Sequence, residues 1–79
     1  MIIGKTREQR LEAAYRIANK GGSVQLQGPP TRHPLYIKGI EVAYGEIVPM
    51  LVALGSPIMF FDNMDDFVNW ATSSGYDIY

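Results

Sequence analysis

His33 is the only histidine of this chain, and there is no cysteine. Acid–base or metal chemistry would therefore have to combine one imidazole with carboxylates. The only close cluster of carboxylates is Asp62, Asp65 and Asp66, whose oxygens suit Mg2+ or Ca2+. The same residues, set before an apolar helical pattern, are also what a helix start requires. An Asp or Asn there accepts from the free amides, and first-turn acids face the positive end of the dipole. Capping is the expected role.

Serine and threonine offer no better nucleophile. Thr31 precedes Arg32 and His33, but neighbours in sequence seldom adopt the geometry of a nucleophile–base pair. Ser73 and Ser74 fall at a helix C-terminus, where the dipole opposes a developing alkoxide. No P-loop, dinucleotide fingerprint, EF-hand or H-E-x-x-H spacing occurs. The expectation is a non-enzymatic protein with no metal and no cofactor.

Two groups of residues suggest binding instead. The first is the loop Gly28-Pro29-Pro30-Thr31-Arg32-His33-Pro34 with the strand after it. Side chains alternate along a strand, so Tyr36 and Lys38 share one face while Leu35 and Ile37 point to the core. Arg32, His33, Tyr36 and Lys38 together could stack a base and hold phosphates, as single-stranded nucleic acid or a small anion requires. A polar hairpin tip needs no ligand, which is the competing explanation. The second group is an acidic, aromatic surface built from Asp66, Trp70, Asp77 and Tyr79. Trp and Tyr anchor protein interfaces, and a half-exposed Trp70 rimmed by Asp66 and Asp77 would suit a basic partner. Trp70 could equally widen the buried stripe of its helix.

Charge separates along the chain. Residues 1–38 hold all seven cations against two carboxylates (net +5), and residues 39–79 hold six carboxylates and no cation (net −6). Such asymmetry points to charged partners or to segments that attract one another. A salt-sensitive homodimer is one consequence. With a pI near 5.6, the chain departs from the basic composition of duplex-binding domains.

The elements that must position these groups are short. Thr6-Arg7-Glu8-Gln9 fits a capping box for a helix over 6–20, with Leu11, Ala14, Ile17 and Ala18 as its buried stripe. Gly21-Gly22 closes it. Ser23–Gln27 alternates as a strand and pairs with a second run from Leu35, which continues past a bulge at Gly39 through Ile40 and Val42. Glu46–Leu54 is nearly all apolar and reads as a helix with Pro49 in its first turn, a strand over 40–48 being the alternative. Ile58–Phe61 suits a central strand. Asp62 or Asn63 caps a last helix with Met64, Phe67, Val68 and Ala71 buried, Gly75 stops it, and Tyr76–Tyr79 forms a terminal strand.

The order is α-β-β-α-β-α-β. It gives an α+β (two-layer α/β) fold, a small mixed or antiparallel sheet of three to four strands with two to three helices packed on it. Residues 1–79 form one domain. The longest apolar stretch, Ile47–Leu54, is far below the roughly 20 residues that cross a bilayer, and Met1–Lys5 lacks the features of a signal peptide. A soluble, cytoplasmic protein is expected. Its expected function is that of a small protein-binding module, of the kind found among phage- or plasmid-encoded inhibitors and anti-defence proteins. It would dock on a larger partner through the acidic-aromatic surface. The alternative is nucleic-acid or anion binding through the basic hairpin at 31–38.

Overall fold

The computed structural model describes residues 6–30, 34–53 and 56–78. Among them are α1 (Arg7–Asn19), β1 (Ser23–Leu26), β2 (Leu35–Glu41), β3 (Ile47–Ala53), β4 (Ser56–Phe60) and α2 (Met64–Ser74). The strands form one antiparallel sheet in the order β1-β2-β3-β4. The observed order is thus α-β-β-β-β-α, a small α+β arrangement.

Both helices carry the end signals read from the sequence. The Thr6 hydroxyl accepts from the Gln9 amide at 3.1 Å, and the Asn63 side chain accepts from the Asp66 amide at 2.9 Å. Asn63, rather than Asp62, is the cap of α2. Gly75 ends α2 at φ 83°, a left-handed conformation that costs glycine nothing. With no basic residue in its own last turn, α2 takes a cation from α1. Arg7 donates from Nε to the Tyr76 carbonyl at 2.9 Å and from Nη2 to the Ala71 carbonyl at 3.2 Å. A guanidinium there satisfies carbonyls that a helix end leaves open and meets the negative end of the dipole.

The helix expected over Glu46–Leu54 is not found: Ile47–Ala53 is β3, a strand with neighbours on both sides, and Leu54 lies outside the described residues. Pro49 is tolerated there for a specific reason. Its partner Gly39 donates its amide to the Gly22 carbonyl, away from β3. In an antiparallel ladder the backbone groups of such a pair point outward from each other, so the missing N–H of Pro49 faces the β4 side. Pairing with β4 extends only to Met50, so no ladder bond is lost. The run at 58–61 is also placed differently. Its first part belongs to β4, an edge strand in which every residue is exposed. Only Phe61, just beyond, is buried. Among the described residues the expected terminal strand reduces to one bridge, Gln27 with Asp77.

Gly39 is not at a bulge; its register with Pro49 is regular. A Cβ at Gly39 would fall on the Ala18 carbonyl oxygen and on Gly21 Cα, so this position lies directly beneath the end of α1. That contact fixes the faces of the sheet. Leu35, Ile37 and Gly39 look toward the helices, and Tyr36, Lys38 and Ile40 look away. The core on the helical side joins Leu11, Ala14 and Ala18 of α1 to Leu26, Leu35, Ile37 and Leu51 of the sheet. Phe67, Val68 and Ala71 of α2 complete it together with Phe61, Tyr76 and Ile78. No helix among the described residues is long and apolar enough to cross a membrane.

Candidate functional site

The two groups singled out in the sequence meet different fates. Trp70 is half-buried against the core. Its indole stacks on Tyr76, with centroids 5.3 Å apart and 14° between planes, and lies tilted against Phe61 at 5.8 Å. Asp77 uses both carboxylate oxygens inside the molecule. Arg10 donates from Nε to Oδ1 at 3.1 Å and from Nη2 to Oδ2 at 2.7 Å, and the Ile78 amide donates to Oδ1 at 2.7 Å. This fork joins the basic and acidic halves of the chain across 67 positions. Asp66 is exposed in the first turn of α2. Its carboxylate and that of Asp62, after burial itself, raise the pKa of the Tyr15 phenol. Among the described residues no group of His, Asp or Glu is gathered as a metal site. Tyr79, Arg32 and His33 lie outside the described residues.

The hydrogen bonds from Arg10, ahead of smaller contributions, hold the Asp77 carboxyl below its ordinary pKa. A carboxylate with a depressed folded pKa stabilises the protein above its unfolded value, about 3.9. The contribution disappears as pH falls through the folded value. Asp77→Asn is therefore expected to lower the thermal midpoint at about pH 7 and to matter progressively less below about pH 4. Equal losses at both ends of that range would show that the ionised fork is not what stabilises the chain terminus.

Tyr36 and Lys38 share the exposed face, together with residues that the sequence did not bring to them. Register aligns Lys38 with Met50 and Met50 with Phe60, Ile40 with Val48, and Tyr36 with Val52. Ser23 and Gln25 of β1 lie on the same side through their partners Lys38 and Tyr36. Both helices belong to the opposite layer, so this face has no covering element among the described residues. Phe60 is 51% exposed and Tyr36 41%. Met50, between Lys38 and Phe60, is only 6% exposed although it is not part of the core beneath the helices. An apolar ridge thus runs across β2, β3 and β4, with Lys38 as its cation. A run such as Val48-Pro49-Met50-Leu51-Val52, apolar at every position, was the one signal that β3 has apolar demands on both faces.

The ridge ends at an edge that resists strand addition. Leu51 pairs with Met59 and Val52 with Pro57, leaving Ile58 as the extra residue of a bulge. By the alternation that starts at Pro49, Val52 turns its backbone toward β2, so Pro57 turns its own toward the open edge. A proline facing outward beside a bulge removes a donor and twists the strand, two ways in which edges avoid pairing. The exposed apolar surface is therefore suited to contact through its face. Comparison with protein-family models, curated proteins and solved structures finds no match to this chain.

Proposed function

We propose that this chain is a small protein-binding module that docks through the uncovered face of its sheet. The carrying observation is the pair of exposed rings, Tyr36 and Phe60, on the side away from both helices, with Met50 filling the space between their strands. A helix or sheet normally buries its apolar face within the domain, and exposed apolar patches commonly mark interaction sites. Such a module acts by occupying a partner's surface, as an inhibitor does. The weight of the surface shifts from Trp70, which contacts the core, to Phe60 and Tyr36, which contact solvent.

The two exposed rings allow a clean test. Tyr36→Asp and Phe60→Asp should cost far less stability than a core truncation, since each ring keeps a large share of its surface in solvent. Each is expected to reduce recovery of a specific protein from lysate of the native cells by about tenfold or more, as hot-spot losses do. Equal recovery by wild type and both variants would remove the sheet face from the proposal. Nucleic-acid binding remains the second reading, because Tyr36 and Lys38 stand side by side on this face. A labelled single-stranded oligonucleotide that binds wild type, weakens steeply with salt and is lost in Tyr36→Ala would favour it instead.

A further inference from the structure

We propose that the turn between β2 and β3 is the anchor of this docking surface, with Tyr44 inserting into an apolar cleft of a protein partner whose rim is cationic. The inference rests on the protein-binding reading and identifies the chemistry of the partner. Tyr44 is 105% exposed, so its ring gains nothing from its own fold. Its backbone is held at φ 57°, ψ 30°, and it is the one residue other than glycine with positive φ among the described residues. A bulky residue in that region is sterically disfavoured, and glycine or asparagine would satisfy the turn at lower cost. The turn is nonetheless fixed: Val42 donates its amide to the Glu46 carbonyl at 2.8 Å, and Glu46 donates to the Ala43 carbonyl at 3.1 Å. Strain of this kind, at a site where the side chain makes no contact, points to a function outside the fold.

Charge selects the occupant. Glu41 and Glu46 flank the tip, both exposed, and neither forms an ion pair among the described residues. Two carboxylates beside an aromatic tip repel nucleic-acid phosphates and anionic lipid headgroups, and they attract Lys or Arg. Val42, also exposed, lies just past the end of β2, so the tip presents a second apolar side chain beside Tyr44.

The probe is a random-peptide display library selected on the immobilised wild-type chain, with enriched peptides then titrated by fluorescence anisotropy. Enriched sequences are expected to place Lys or Arg beside an apolar cluster. Their affinity should fall about tenfold or more for Tyr44→Gly, whose thermal midpoint should equal or exceed that of wild type. The double variant Glu41→Lys, Glu46→Lys should lose the same peptides. Peptides that lack cations, or that bind Tyr44→Gly as tightly as wild type, would overturn the proposal. If those peptides are lost only in Phe60→Asp, docking through the sheet face stands and Tyr44 is not its anchor. No enrichment at all counts against both readings. Sedimentation showing a wild-type dimer that Tyr44→Gly abolishes would assign the tip to a second copy, which also overturns it.

Discussion

Phe67→Ala is expected to destabilise the fold by about 3–5 kcal/mol, the usual loss when a fully buried phenylalanine is truncated. Phe67 has no exposed surface and stands where three elements meet. The edge of Phe61 meets it at 5.2 Å and 74°, and Tyr15 of α1 lies tilted over it at 5.9 Å. Its removal opens a void beneath α2 that neither α1 nor the end of β4 can fill without giving up other contacts. A chain of 79 residues buries only a little over 60% of its unfolded surface. Such a loss therefore approaches its whole stability. Urea unfolding followed through Trp70, the single tryptophan, measures it, because that indole lies against Phe61 and Tyr76. Phe67→Leu, which keeps most of the volume, should cost clearly less. A loss below about 1 kcal/mol in Phe67→Ala would mean that the α1–α2 seam is not the centre of the core.

The seam was legible in the sequence because it obeys one period. Leu11, Ala14 and Ala18, and then Phe67, Val68 and Ala71, recur at helical spacing beside cap residues that name their own roles. Ile17, expected in the first stripe, is exposed, and Met64, expected in the second, is only partly buried. Tyr36 and Lys38 were likewise placed on one face by period two. β3 was not legible, because a strand apolar on both faces shows no alternation. Leu51 faces the helices while Met50 fills the outer ridge, so their neighbours read as a helix as readily as a strand. Pro49 is acceptable in the first turn of a helix, and its tolerance in the strand depends on which way the backbone of Gly39 points and where β4 ends. Phe60 joined the ridge only through cross-strand register and the bulge at Ile58. Tyr44 became a tip only once β2 and β3 were both strands, joined by the turn that holds it. The Arg10–Asp77 fork was out of reach for another reason: it joins residues near the two ends of the chain. Local pattern thus disclosed the elements whose burial is one-sided, and the candidate surface consists mainly of residues whose environment is set by pairing.

Gly39→Ala is expected to be as damaging as a core truncation although it adds a single methyl group. That methyl would meet the Ala18 carbonyl oxygen and the Gly21 backbone, atoms of a helix end that no side-chain rotation can clear. Overpacking against side chains costs about 1–3 kcal/mol, and a backbone obstacle belongs at or above the upper end. To make room, α1 must lift from β2. The lift would weaken the hydrogen bond that Gly39 donates to the Gly22 carbonyl at 2.9 Å, which ties the chain just after α1 to β2. It would also loosen the contacts of Leu11 and Ala18 with the sheet. If no backbone atom of the α1 end lay above this position, the opposite prediction would hold. With the register regular and φ outside the left-handed region, alanine would then be nearly neutral or slightly stabilising through the unfolded state. Urea unfolding of Gly39→Ala separates the two. A midpoint equal to wild type would mean that α1 does not press on the sheet here, and the assignment of inner and outer faces would lose its anchor. A large loss, with Lys38→Ala as a neutral control on the preceding residue, would fix Tyr36, Lys38 and Ile40 on the side away from the helices.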